Sequence, residues 1–165
     1  MYGLVDIDMI AGPSELLILA DGKANPAHCA ADLLCEAEHD EEARVYLVTT
    51  SAKLAKTVIG EVQKQLAQLN RKTIATHSVG QYAIAFVVKD MKKAFEVANA
   101  IAPEHLEVLV ARPFNALKKI QHAGAVFLGR YTPPAVADYV AGPNHVLPTG
   151  GSARFFSAVS FDVFG

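Results

Sequence analysis

Short apolar runs alternate along the chain with longer stretches in which apolar residues recur every three or four positions. The runs have the usual length of buried strands, and the longer stretches have the spacing of amphipathic helices. Strands are predicted over residues 15–20, 44–49, 83–88, 106–110 and 125–128. Helices are predicted over about 25–39, 51–69, 90–102 and 113–124. Alternating strands and helices imply crossover connections, and therefore an α/β fold with a mostly parallel sheet.

Local signals support these boundaries. Asn25 followed by Pro26 is typical of a helix start, Ser51 is a good N-cap, and Pro103 ends a helix. From residue 129 onward the chain is rich in Pro and Gly, which predicts an ordered loop region with short helix. We therefore expect one α/β domain over residues 1–165, a Rossmann-like half-domain followed by this loop region. No Gly-x-Gly-x-x-Gly follows a strand, so the segment carries no predicted dinucleotide site.

The composition is that of a folded protein that does not bind nucleic acid or a membrane. Hydrophobic residues make up 52% and charged residues 19% of the 165 positions. The net charge is -2 and the basic residues are scattered, unlike the basic footprint of a nucleic-acid binder. No apolar stretch reaches the roughly 20 residues needed to span a bilayer. The acidic N-terminus lacks the basic region of a signal peptide.

The two cysteines, Cys29 and Cys35, are predicted to be buried thiols. They are six residues apart in a predicted helix, which corresponds to about 9 Å of rise. A disulfide requires Cα atoms within about 7 Å of each other. Thiols outside disulfides are typical of a reducing compartment, so we expect a cytoplasmic location.

Two polar motifs flank the first predicted strand and helix. Gly12-Pro13-Ser14-Glu15 leads into the strand, either as a simple turn or as a hydroxyl presented to a ligand at the sheet edge. Glu36 and His39 are three residues apart on the predicted helix and share a face, so they can chelate one metal ion. The alternative for this pair is a charged helix end, with His39 favoured by the helix dipole.

Two further motifs lie in the second half of the chain. Glu104 and His105 stand between a helix end and a strand, in a connection so short that burial is expected. A carboxylate and an imidazole there suit acid–base chemistry, although a polar loop has the same composition. The segment from Tyr131 through Asp138 to His145 is dense in metal- and ligand-binding groups, but these residues also form ordinary turns.

Taken together and in order, these motifs resemble the central-to-C-terminal part of histidinol dehydrogenases. The resemblance covers essentially the whole chain, and its motifs are long and unusual. The segments that carry it are residues 6–15 (DIDMIAGPSE), 37–40 (AEHD), 102–107 (APEHLE), 131–133 (YTP), 138–139 (DY) and 141–149 (AGPNHVLPT).

The resemblance implies a zinc- and NAD-dependent enzyme that oxidises L-histidinol to L-histidine in two steps through the aldehyde. It implies a homodimer whose members are more than twice as long as this chain. Their NAD-binding residues lie mostly upstream, and a further zinc ligand lies in a C-terminal tail that crosses to the other subunit. The residues implied are the zinc ligands Glu36, His39 and Asp138, the acid–base pair Glu104 and His105, and the substrate contacts Ser14 and His145.

One residue departs from the family pattern, since Glu36 stands where the family usually has glutamine. A carboxylate still binds zinc but adds negative charge to the site. Three expectations therefore stay open for the chain: an incomplete piece of the enzyme with little activity, a relative that oxidises another small alcohol, or a non-catalytic folding or dimerisation fragment.

Overall fold

Five parallel strands form one sheet in the computed structural model, which describes residues 4, 9 and 11–160 apart from the side chain of Asp138. The strand order is β3-β2-β1-β4-β5, and all four neighbouring pairs are parallel. The predicted α/β class with a parallel sheet is confirmed. The strands are β1 (Glu15–Ala20), β2 (Arg44–Thr49), β3 (Ile84–Val87), β4 (His105–Leu109) and β5 (Ala125–Leu128).

Helices cover both faces of this sheet. The first three helices pack with Leu16 and Ile18 of β1, and the last two pack with Leu17 of β1 and Leu106 of β4. The chain leaves β1 toward β2 on one side and returns to β4 on the other, so its winding reverses between β1 and β4. The helices are α1 (Pro26–Ala37), α2 (Ala52–Leu66), α3 (Lys72–Tyr82), α4 (Met91–Ile101) and α5 (Pro113–Leu117).

Side-chain caps begin the two helices for which the sequence signals a start. The Asn25 side chain accepts hydrogen bonds from the backbone N–H groups of Ala27 and His28, and the Ser51 hydroxyl accepts one from Leu54. These bonds satisfy N–H groups that have no partner inside the helix. Helix α1 is thereby fixed at its first turn, and its last turn reaches the amino edge of the sheet.

The predicted helix over 51–69 is wrong at its C-terminal end, because α2 stops at Leu66 and α3 follows as a separate helix. Helix α3 was not predicted. It buries only the small residues Ala75 and Ser78, three positions apart, so it has little of the apolar stripe that marks an amphipathic helix. The Ser78 hydroxyl donates to the carbonyl of Ala43, which ties α3 to the start of β2.

The predicted helix over 113–124 is also too long, since α5 ends at Leu117. The Asn99 side chain donates to the carbonyl of Lys119 and accepts from the N–H of Gln121, which holds the following residues in a non-helical path. Strand β3 was predicted to be buried, but it is an edge strand with Ile84 and Val87 about half exposed.

Cys29 is buried as predicted, whereas Cys35 is exposed and that prediction was wrong. The two residues lie on different faces of α1, and only the face with Cys29 meets the sheet. After β5 the described chain is mainly loop, as predicted, with short helical turns at Pro134–Val136, Ala137–Ala141 and Ser152–Arg154. Within the described part, none of the helices has the length and apolar character that a membrane crossing needs.

Candidate active site

Buried polar side chains gather at the amino edge of the sheet, where β1 and β4 begin. Helix α4 ends at Ile101. The left-handed backbone of the C-cap residue Ala102 (φ 52) turns the chain, and Pro103 cannot continue the helix. The next residue, Glu104, lies at the amino edge of the sheet. His105 is the first residue of β4 and pairs with Leu16 of β1. The short connection thus positions the carboxyl group of Glu104 and the imidazole of His105 side by side at this edge, and each residue is less than a tenth exposed.

The carboxylate of Glu104 is held by the start of β1. Its Oε2 accepts a hydrogen bond from the backbone N–H of Glu15 at 3.0 Å, and the hydroxyl of Ser14 donates to the same carboxylate. Oε2 lies 3.8 Å from Nδ1 of His105, so the two groups are neighbours. Burial raises the pKa of Glu104, while His105 and the two donors oppose that rise. Glu104 is therefore a fixed carboxyl group with enhanced basicity.

A second carboxylate approaches His105 from the last turn of α1. Oε2 of Glu36 lies 3.5 Å from Nδ1 of His105, and the Glu36 residue is 8% exposed. The burial excludes the alternative in which Glu36 faces water at a charged helix end. The imidazole also packs against Phe127 of β5, with ring centroids 5.8 Å apart. Nδ1 of His105 thus faces two carboxylates and its ring plane is supported from β5.

The cluster of Glu36, Glu104 and His105 has the composition of a metal site. One ligand atom from each lies within 4.8 Å of the others, and all three residues are buried. Oε1 of Glu36 is buried and has no hydrogen-bond partner among the described residues, so a bound cation would satisfy it. Imidazole nitrogen and carboxylate oxygen are ligands that zinc accepts. The donor atoms at this edge are therefore of the kinds that a zinc ion accepts, and Oε1 of Glu36 is the one that no hydrogen bond from the described residues satisfies.

The remaining predicted site residues lie around this cluster in different settings. His39 is exposed because α1 ends at Ala37, two residues earlier. It nevertheless lines a cleft of about 380 Å³ together with Glu36 and Tyr139. The backbone of Asp138 lies in the turn that also carries Tyr139, and its side chain is outside the described structure. Ser14 contacts Glu104, whereas His145 lies exposed in the loop before Leu147.

Part of the N-terminal motif, residues 6–8 and 10, lies outside the described residues. Its end, Gly12 to Glu15, contacts the loop that follows His145. The N–H of Gly12 donates to Oγ1 of Thr149 at 2.6 Å, and the N–H of Gly150 donates to Oε2 of Glu15 at 3.1 Å. Two segments that are far apart in sequence therefore meet beside Glu104. Glu15 belongs to the motif at the start of β1, but the sequence assigned no role to it, although an acid at the first position of a buried strand is a signal for such a contact.

Two acids on the α1 side of β4 were also missed, the buried Glu107 and the half-buried Asp32. Glu107 is 2% exposed and is hydrogen-bonded to Asp32 of α1. Burial, together with Asp32, raises the pKa of Glu107 to about 9, and burial raises the pKa of Asp32 to about 6. Asp32 lines both the cleft at Glu36 and a larger one of about 590 Å³ at the carboxyl edge of β1 and β4. An acid inside an apolar strand was the available signal for Glu107.

The sequence model that describes histidinol dehydrogenase matches residues 1–165. The chain belongs to the histidinol dehydrogenase family. The histidinol dehydrogenase of Geobacter metallireducens is 54% identical over 164 residues, which are 99% of this chain and 38% of that protein. That of Aquifex aeolicus is 57% identical over 157 residues, which are 95% of this chain and 37% of that protein.

The fold agrees with a solved member of the histidinol dehydrogenase family. The crystal structure of histidinol dehydrogenase from Elizabethkingia anophelis superposes with a TM-score of 0.92 at 44% identity. The superposition covers 96% of this chain and 36% of that one. The chain thus spans less than two fifths of the length of the relatives it matches.

Proposed function

We propose that this chain supplies the acid–base pair and metal ligands of a histidinol dehydrogenase, which oxidises L-histidinol to L-histidine in two NAD-dependent steps. The observation that carries the proposal is the buried cluster of Glu36, Glu104 and His105, with ligand atoms within 4.8 Å of one another, in a chain of this family. A buried carboxyl group with a raised pKa, here that of Glu104, next to a buried imidazole is typical of catalytic sites.

His105 would take the proton of the substrate hydroxyl. Its Nδ1 faces the carboxylates of Glu36 and Glu104 at 3.5 and 3.8 Å, which favours the tautomer with the proton on Nδ1. That tautomer leaves the lone pair of Nε2 available as the base. The hydride acceptor in each step would be NAD.

Glu104 would activate the water molecule that the second oxidation requires. Burial raises its pKa, so its carboxylate is a stronger base than an exposed glutamate. The N–H of Glu15 and the hydroxyl of Ser14 hold the carboxylate in place. An acid and an imidazole that are adjacent in sequence can therefore serve separate proton transfers. Ser14 and His145 are the residues we assign to substrate contact.

Zinc ligands are assigned to Glu36, His39 and Asp138. Glu36 and His39 line one cleft, and the turn that contains Asp138 borders it through Tyr139. A bound zinc ion would position the amino alcohol and polarise its hydroxyl. His105 lies so close to Glu36 that it would face the same substrate.

No residue of this chain is assigned to NAD binding, because the glycine fingerprint of dinucleotide sites is absent. Since the chain spans 38% of its Geobacter relative, we propose that the 165-residue chain alone turns over little or no L-histidinol. We further propose that the complete protein is a cytoplasmic homodimer. NADH production from L-histidinol by this chain alone would contradict the proposed inactivity.

A second candidate, favoured by the carboxylate at Glu36, is a relative that oxidises another small amino alcohol. Calorimetry with zinc-loaded chain and either L-histidinol or L-alaninol, which lacks the imidazole, separates the two. We expect L-histidinol to bind more tightly, and His105→Asn to weaken binding about tenfold, or about 1.4 kcal/mol. Equal affinity for both alcohols would favour the second candidate. Unchanged binding in His105→Asn would remove His105 from the site.

A further inference from the structure

Glu15 is a buried acid that takes no part in the proton transfers described above. The residue is 3% exposed, and its carboxylate has two partners. Oε2 accepts a hydrogen bond from the N–H of Gly150 at 3.1 Å, and Oε1 lies 3.8 Å from Nη1 of Arg44. A buried carboxylate without such partners is costly, so these contacts are the reason that the acid is tolerated there.

The backbone of the same residue holds the proposed catalytic carboxylate. The N–H of Glu15 donates to Oε2 of Glu104 at 3.0 Å, and the preceding Ser14 hydroxyl donates to that carboxylate too. Glu15 therefore contacts Glu104 through its main chain and the distant loop at Gly150 through its side chain.

The downstream end of that loop is buried against the strand edge. Leu147, Pro148 and Thr149 are buried, whereas residues 144–146, which include His145, are exposed. Thr149 accepts a hydrogen bond from the N–H of Gly12. A Cβ at Gly124 would lie 2.7 Å from the carbonyl oxygen of Glu104 and 3.2 Å from Pro148, so the loop packs directly on the segment that carries Glu104.

We propose that Glu15 is a positioning residue that fixes the loop carrying His145 against the strand edge at which Glu104 lies. The contact of His145 with substrate rests on the proposed function, whereas the anchoring of the loop does not. Glu15 acts through the hydrogen-bond acceptor that it offers to Gly150. The ion pair with Arg44 is secondary, because the Arg44 side chain is 43% exposed and solvent screens it.

Volume-matched variants separate the acceptor from the charge. Glu15→Gln keeps an oxygen that can accept from Gly150 and loses the charge, whereas Glu15→Met has similar length and no acceptor. Arg44→Met removes the ion pair and leaves the carboxylate. Amide hydrogen exchange is measured by NMR on each chain, with the β1 and β4 amides as internal reference. Glu15→Ala is a second variant without an acceptor, should the Met variant fail to fold.

We expect Glu15→Met to speed exchange of the Gly150 amide about tenfold, as for a lost hydrogen bond to a charged group. Glu15→Gln and Arg44→Met should stay close to the parent chain, with the strand amides unchanged in all of them. Parent-like protection of Gly150 in the Met and Ala variants would overturn the proposal. An equally large increase in Gly150 exchange in Glu15→Gln would also overturn the proposal, because the charge and not the acceptor would then hold the loop.

Binding of L-histidinol to the zinc-loaded chain gives the functional readout. Glu15→Met should weaken it about fivefold, the effect of one lost hydrogen bond, and Glu15→Gln should restore it. Loop exchange that changes without any effect on affinity would contradict the link to His145. Failure of the parent chain to bind L-histidinol would count against the proposed function, and the exchange experiment would still decide the anchoring role of Glu15.

Discussion

The carboxyl group of Glu107 should make the chain lose stability between pH 5 and pH 8, and Glu107→Gln should remove most of that loss. The residue is 2% exposed, and burial together with Asp32 raises its pKa from 4.5 to about 9. The folded chain therefore keeps Glu107 protonated across this window, whereas the unfolded chain releases the proton. Since the unfolded state binds fewer protons, the free energy of unfolding falls as pH rises.

The size of the effect follows from the width of the window. Each pH unit between the two pKa values lowers the free energy of unfolding by about 1.4 kcal/mol. Over the three units from pH 5 to pH 8 the contribution of Glu107 is on the order of 4 kcal/mol, a large fraction of a typical domain stability. Glutamine has nearly the same shape, carries no proton to lose, and can donate its amide to Asp32.

Urea unfolding at pH 5, 6, 7 and 8 measures this difference directly. The parent chain should lose stability steadily, whereas Glu107→Gln should show a much flatter curve and exceed the parent at pH 8. Glu96→Gln is the matched control, because Glu96 is half exposed in a surface pair with Lys93 and should leave the slope unchanged. Parallel curves for Glu107→Gln and the parent would show that Glu107 is ionised in the folded chain, contrary to the expected protonation.

Three further substitutions test local features by urea or thermal unfolding. Ser51→Ala should lower the free energy of unfolding by about 1 kcal/mol, because the Leu54 N–H loses its cap; no loss would show that the cap is not needed. Gly124→Ala should cost about 2 kcal/mol or more, since its Cβ would lie 2.7 Å from the carbonyl oxygen of Glu104; a neutral result would mean that the edge yields easily. Ala102→Gly should be neutral or stabilising by up to about 1 kcal/mol, because glycine accepts the left-handed φ of 52; marked destabilisation would contradict backbone strain there.

Elements with strong local signals could be predicted from the sequence. Strands β1, β2 and β5 have the predicted bounds, and α1 begins where Asn25 and Pro26 place it. Local sequence patterns did not predict the elements whose bounds or burial depend on tertiary contacts. Helix α3 packs through small side chains, and the Asn99 side chain fixes the chain after α5 in a non-helical path. Strand β3 is apolar like a central strand, and only the sheet order makes it an edge.

Sequence motifs identified the three residues of the candidate cluster, but they did not predict how these residues contact one another. Glu36, Glu104 and His105 were each identified from motifs, yet the approach of Glu36 to His105 joins the end of α1 to the start of β4, which no local spacing encodes. The contacts of Glu15 with Gly150 and of Asp32 with Glu107 likewise join residues that no local spacing connects. Such pairs depend on strand order and register, which the topology supplies only once the sheet is assembled.

Zinc titration calorimetry on the purified chain tests whether this chain assembles the metal site. We expect binding of about one equivalent, weakened at least tenfold, or about 1.4 kcal/mol, in Glu36→Ala and in His39→Ala. Glu42→Ala, an exposed acid outside the cleft, should bind zinc like the parent. No saturable binding by the parent chain, or unchanged affinity in both ligand variants, would contradict the claim that this chain assembles the metal site.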